Sequence, residues 1–297
     1  MARRVDDDRI RSIIGEVEKP SFVWQQQFDG FGETLHKLAR CDWNAVPEPD
    51  LWEYFNDLAY VEHLQPELFR HLFPSCVKYW YDTLLDNRTA EAGSAEFHLA
   101  LHRGRIIGRM LDDQQRSRLY DIFVDGLLDR IDAEDGSWFG SRSAAGHSAI
   151  WRFNSLGYIA PLTDLIWQRW WTLDSRGKCI TAVMYASGLI YIDADNPIYP
   201  EWTPQKGGGG PYLTESDCTI YDAGWLPENI AALENTLTVD FILDRLRVAA
   251  GRLADDPVAA TASRIAADAQ QRREIIEIRI SDLLSEMGRP ALDHARW

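Results

Sequence analysis

The chain is poor in several kinds of residue that would each support a quick functional reading. Its 297 residues include only four cysteines and four methionines. Cys41, Cys76, Cys179 and Cys218 stand far apart, in no CxxC or CxH pattern, so their spacing argues against a structural metal site. Cys76 and Cys179 lie among apolar neighbours and read as small buried hydrophobes in a reducing compartment. Basic residues are also scarce: 31 Lys and Arg stand against 46 Asp and Glu, a net charge of −15. Such a balance disfavours direct nucleic-acid binding and attraction to anionic membranes, and it steers a basic partner towards the protein. Long apolar runs are missing too. The longest, ITAVMYASGLIYI from Ile180, is too short to span a bilayer and contains Gly188. The N-terminal MARRVDDD follows its two arginines with Asp6, Asp7 and Asp8 rather than an apolar stretch, so it does not read as a signal peptide. The expectation is a cytoplasmic protein with no membrane partner.

Catalytic and ligand-binding motifs are equally sparse. Gly140-Ser141-Arg142-Ser143 departs from the GxSxG elbow at the serine position and lacks the final glycine. Lys206 precedes Gly207–Gly210 instead of following them, so the run is no phosphate-cradling loop. Asp193-Ala194-Asp195-Asn196 starts like a calcium loop, but Pro197 and Ile198 replace the next ligand and the turn glycine, and Pro204 stands where the bidentate Glu belongs. His98 and His102 share one helical face, as metal-binding pairs do, but no HExxH glutamate accompanies them. His63, His71 and His147 read as structural. No metal or cofactor is expected.

What the chain does have is apolar and aromatic content, 45% and 11%, with 12 tryptophans. That suffices for a sizeable core, whether in one large domain or two. The heart of the N-terminal half is Pro49 to Asp86, which reads as three short helices in series. Asp50 and Glu53 suit a capping box before the stripe Leu51, Phe55, Leu58 and Val61. Pro66 starts a second helix with Leu68, Phe69, Leu72 and Phe73 inward, Pro74 ends it, and Ser75 caps a third carrying Val77, Trp80, Tyr81 and Leu84. Upstream, Asp6 to Glu18 and Ser21 to Leu38 each carry apolar residues at helical spacing. Downstream, helices are expected from Ser94 and after Asp112, and Ala133 to Gly146 reads as a linker. Two domains follow, residues 1–136 and 147–297.

The second half is more aromatic and less periodic. Leu162 to Trp171 fits a helix, whereas Cys179 to Ile192 suits either a buried helix or two strands joined near Ser187-Gly188. Asp193 to Asp222 is long, irregular and rich in glycine and proline. Glu228 to Leu253 is expected as one helix and Val258 to Met287 as another, the latter with a heptad-like seam at Val258, Ala262, Ile265, Ala269, Ile276, Ile280, Leu283 and Met287. The expected fold is mainly α: a helical bundle, a smaller irregular aromatic-rich region that leaves an α+β arrangement open, and a C-terminal αα-hairpin.

Within the first half, Leu64, Pro66, Glu67, Phe69, Arg70, Leu72 and Pro74, preceded by an aromatic-rich helix, resemble a motif of uncharacterised bacterial proteins, some of them immunity-like. The resemblance is confined to the stretch around Pro49 to Asp86. It implies a bacterial cytoplasmic protein and no known catalytic residue.

The strongest functional signal is charge segregation. Between Ile180 and Asp240 nine acidic residues face one basic residue, Lys206. Acids and aromatics interleave there, giving a candidate partner-binding surface of Asp193, Asp195, Glu201, Trp202, Tyr212, Glu215, Asp217, Asp222 and Trp225. The leading expectation is an acidic interaction protein for a basic partner, in the manner of an immunity or inhibitor protein whose carboxylates occupy a site that expects phosphate. Two alternatives stay open: a hydrolase with a pocket lined by Trp202, Tyr212 and Trp225, and a structural subunit that forms a homodimer through its C-terminal helices.

Overall fold

In the computed structural model the described residues are 7–30, 32–85, 94–136, 148–191, 195–198 and 224–288. The chain divides into two compact units between Gly126 and Leu127. Regular structure is helical throughout. Among the described residues no strand occurs, which overturns the α+β alternative for the aromatic-rich region.

The N-terminal unit holds α1 (Asp7–Arg11), α2 (Thr34–Leu38), a 3-10 turn (Trp43–Ala45), α3 (Glu48–Tyr60), α4 (Pro66–Leu85), α5 (Ser94–Arg103), α6 (Ile106–Met110) and most of α7 (Asp113–Asp132). Helix α3 buries Leu51, Tyr54, Phe55 and Leu58 and packs along α5. Phe55 and Phe73 both meet Phe97, with ring centroids 5.2 and 6.4 Å apart. The capping box does not form, because α3 starts earlier, after Pro47. Asp50 lies inside the first turn and pairs with Lys37 at 2.5 Å, and Glu53 accepts from the Gln27 side chain at 3.1 Å.

The expected break at Pro74 is also absent: α4 runs unbroken from Pro66 to Leu85. A proline inside a helix costs one backbone hydrogen bond and a ring clash, about 3 kcal/mol. Phe69, Leu72, Phe73, Cys76, Val77 and Trp80 are all buried on either side of it. At roughly 1.5–3 kcal/mol for each large apolar side chain, their packing outweighs that cost. Ser75 does not cap a helix; its hydroxyl donates to the Trp43 carbonyl.

The upstream segments differ from expectation as well. Helix α1 ends at Arg11, and no helix occurs among the described residues between Gly15 and Glu33. Trp24, Gln26 and Phe28 are exposed while Gln25 and Gln27 are buried, the twofold alternation of extended chain.

The C-terminal unit holds the end of α7, then α8 (Ser148–Gly157), α9 (Thr163–Trp170), α10 (Arg176–Ile190), α11 (Pro227–Thr236), α12 (Val239–Arg252), α13 (Ala259–Gln271) and α14 (Arg273–Met287). Helix α10 is the ambiguous Cys179 to Ile192 stretch. Every residue from Cys179 to Ile190 is buried, and α12, α13 and α14 pack around it. A helix covered on all sides shows no 3.6-residue stripe, so periodicity cannot separate it from a strand. Ser175 caps it, its hydroxyl oxygen accepting from the Lys178 N–H at 3.2 Å.

The last two expected helices are four. Thr238, accepting from the Phe241 N–H at 3.2 Å, opens α12 and separates it from α11. Arg272, at φ −109° and ψ 30°, separates α13 from α14. The seam residues Ala262, Ile265, Ala269, Ile276, Ile280, Leu283 and Met287 are buried within the unit.

Candidate functional site

Of the surface expected from sequence, Asp193, Glu201, Trp202, Tyr212, Glu215, Asp217 and Asp222 lie outside the described residues. Asp195 and Trp225 are described, and they have different surroundings. Trp225 is 3% exposed and faces the core: its ring stands edge-on to Phe153 and Tyr158 at 6.0 and 6.2 Å. The Trp225 backbone N–H donates to the Met287 carbonyl at 2.9 Å, and an added Cβ on Gly157 would stand 2.3 Å from the indole.

Asp195 is exposed and holds an arginine. Arg272 Nη2 reaches its carboxylate at 2.6 Å, and the guanidinium carbon lies 4.8 Å from the centroid of the Tyr191 ring. The Tyr191 hydroxyl donates to Asp268 at 2.5 Å. The hydrogen bond to Asp195 pushes the Arg272 guanidinium above its usual range, and burial, then Asp268, push the Tyr191 phenol up. One carboxylate and one aromatic face thus grip a guanidinium, with a second carboxylate fixing the ring.

The N-terminal unit carries a second arrangement that the sequence pattern did not single out. Residues 21–30 form a non-helical strap against α3 and the start of α4, ending in a turn where the Gly30 N–H donates to the Gln27 carbonyl at 3.1 Å, and side chains tie it down. Gln65 Oε1 accepts from the Trp24 N–H at 2.9 Å and the Gln25 N–H at 3.4 Å, and Gln65 Nε2 donates to the Phe22 carbonyl at 2.9 Å. In return Gln25 Oε1 accepts from the Gln65 N–H at 2.7 Å. Asp57 is the second anchor: its carboxylate accepts from the Phe28 N–H at 2.7 Å and from Gln25 Nε2 at 2.8 Å.

Asp57 is fully buried, 0% exposed, and no cation among the described residues pairs with it. Burial pushes its carboxyl up to about 6, the two hydrogen bonds oppose that, and the nearby Asp29 and Glu53 charges reinforce it. Above the strap the aromatic side chains point outward: Phe22 is 66%, Trp24 49% and Phe28 56% exposed. Phe28 stacks on Tyr60 at 4.6 Å, and the Arg103 guanidinium lies 5.3 Å over the other partner's ring, Tyr60, while bonding its hydroxyl.

Elsewhere in this unit, Glu33, Thr34, His36, Lys37, Arg40, Cys41 and Asp50 line an open cleft of about 740 Å³. Its two carboxylates balance its two fixed cations. The His98 and His102 pair holds no metal arrangement: His98 is buried, and its Nε2 accepts from the Trp80 indole at 2.8 Å. Among the described residues no three His, Cys, Asp or Glu side chains stand close enough to share a metal ion. No helix among them is long and apolar enough to cross a membrane.

Comparison with known proteins yields no match to any family model, curated protein or solved structure.

Proposed function

We propose that the chain is an acidic protein-interaction protein that takes a basic partner, of the kind an immunity or inhibitor protein represents. The observation that carries this reading is the grip on Arg272. In the acid-rich part of the chain, a carboxylate at 2.6 Å and a tyrosine face at 4.8 Å already bind a guanidinium. The same residue types recur through the neighbouring sequence, where Glu201, Trp202, Tyr212, Glu215, Asp217 and Asp222 repeat acid and aromatic with Lys206 as the lone base. A surface of that composition recognises arginine and lysine side chains by charge-assisted hydrogen bonds and ring stacking. Its long-range field, from a net charge of −15, speeds encounter with a basic partner.

The test is affinity purification of the tagged chain from its host at low salt and again at about 0.5 M salt, where screening shortens to a few ångströms. A stoichiometric basic protein retained at low salt and shed at high salt supports the reading. Emergence of the chain alone under both conditions refutes it. Substituting Asp193→Asn together with Asp195→Asn weakens retention of that partner in a salt-dependent way, whereas loss of turnover on a substrate with unchanged association would favour the hydrolase instead.

A further inference from the structure

We propose that the strap of residues 21–30 in the N-terminal unit is a separate docking surface, independent of the acid-rich C-terminal region, and that its occupant is an extended, arginine-rich peptide segment of another protein. Three observations support this. The first is exposure: Phe22, Trp24 and Phe28 stand out to solvent at 66%, 49% and 56%, Phe28 from the turn that the Gly30 N–H closes on the Gln27 carbonyl at 3.1 Å. A row of large aromatics on one strap is an anchor set, not scattered surface apolarity.

The second is preorganisation. Gln65 and Asp57 fix the strap's backbone at Phe22, Trp24, Gln25 and Phe28 through four hydrogen bonds of 2.7 to 3.4 Å, and the Gln25 side chain adds two more, to Asp57 and to the Gln65 N–H. The rings are held in place before any partner arrives, which reduces the ordering cost of binding.

The third is charge, and it selects the partner. Asp57 lies beneath Phe28, and Asp29 and Glu53 are close enough to act on its ionisation. Glu62 and Glu67 are exposed on the connection that follows Tyr60 and at the start of α4. The bases nearby are His63, Arg103, whose guanidinium lies over Tyr60, and Arg109, which reaches the Val61 carbonyl at 3.5 Å. Arg103 shows within the chain the contact that a partner would repeat: a guanidinium over Tyr60, a ring stacked on Phe28 of this aromatic set. Phe22, Trp24 and Phe28 offer three further faces. Arginine suits them better than lysine because its planar guanidinium stacks as well as pairs.

The probe is a fluorescein-labelled nona-arginine peptide, titrated into the full chain by anisotropy at low salt, with nona-lysine and nona-glutamate as comparisons. The expected order is arginine, then lysine, with no binding of glutamate. The decisive variant is Trp24→Ser with Phe28→Ser, which removes two ring faces at exposed positions and leaves every charge in place; circular dichroism checks that it folds. It weakens nona-arginine binding about tenfold or more, the scale of one or two lost cation–ring contacts.

Equal affinity of the variant and the natural chain would overturn the proposal, since binding would then be unspecific attraction to a −15 protein. So would sedimentation that shows a dimer abolished by the same variant, which would make the occupant a second copy. Binding to neutral phosphatidylcholine vesicles that depends on Trp24 and Phe28 would overturn it as well, because the aromatics would then serve a lipid surface.

Discussion

Asp57 makes a prediction whose sign runs against the usual behaviour of a carboxylate. Most structural carboxylates are ion-paired and favour the folded state when ionised. Asp57 is buried without a cation, and its carboxyl is raised to about 6 in the fold from 3.8. The folded state therefore holds this proton more tightly than the unfolded chain does. Its contribution to stability is fully present below about pH 4 and is lost as the pH rises through about 6, a total of up to about 3 kcal/mol from a shift of roughly two units. Asp57→Asn removes the titration while keeping an acceptor for the Phe28 N–H. Its amide nitrogen then faces the Gln25 amide donor, which cannot turn because Gln25 Oε1 holds the Gln65 N–H at 2.7 Å. Urea denaturation of both proteins at several pH values from 4.5 to 7.5 gives the difference between them, in which the remaining titratable groups cancel. That difference shrinks or reverses with rising pH by as much as about 1.4 kcal/mol per unit near the middle of the window. Two stability profiles that stay parallel across that window refute the account.

Other substitutions test different parts of the packing. Gly157→Ala places a Cβ 2.3 Å from the Trp225 indole, while the Trp225 N–H is held by the Met287 carbonyl and the Leu226 N–H by that of Gly157, so the C-terminal unit loses about 1–3 kcal/mol or more, read by thermal unfolding and by near-ultraviolet dichroism of the tryptophans. Glu134→Ala removes a buried partner of Arg130, 2.8 Å away, and the acceptor of the Asp135 and Gly136 N–H groups, and costs about 1–3 kcal/mol in denaturant titration. Gln65→Met keeps the volume but strips the strap of its side-chain acceptor and donor, so the amides of Trp24 and Gln25 exchange with solvent at least about tenfold faster, one lost hydrogen bond's worth, while those of α4 do not.

The fold was legible where one face of a helix is buried and the other wet. Leu51, Phe55 and Leu58 in α3 and Leu68, Phe69, Leu72 and Phe73 in α4 sit at the spacing their sequence displays, and all are buried. Legibility failed where tertiary packing decided the matter. Pro74 is a local stop signal, but the apolar residues on both sides of it are buried in one core and hold the helix together across it. Helix α10 is covered on every side and so has no stripe to read. Trp24 and Phe28 stand four apart, a helical spacing, yet both face solvent from an extended chain. Their partners are Gln65 and Asp57, which lie 41 and 29 positions away and which no local window contains. Most of the partner-binding surface expected from sequence falls outside the described residues, while the strap drew no notice because glutamine carries no periodic or motif signal.

The strap also bears on why its aromatics are outside at all. Side chains in extended chain alternate, so a slip of one residue would turn Trp24 and Phe28 inward and Gln25 and Gln27 outward. Burying those two rings would favour the slipped register by roughly 1.5–3 kcal/mol each. What opposes it is the frame of Gln25, Gln65 and Asp57, whose hydrogen bonds exist in the observed register only. At about 1 kcal/mol net per bond, and more for the two that end on the Asp57 carboxylate, the frame matches or exceeds that pull. Breaking it in a buried setting leaves donors and acceptors unpaired, which adds to the penalty. Hydrophobic burial alone would hide these rings, whereas a polar frame with a buried carboxylate displays them. That arrangement forgoes apolar burial and tolerates a strained ionisation, costs that a role in presenting the rings to a partner accounts for.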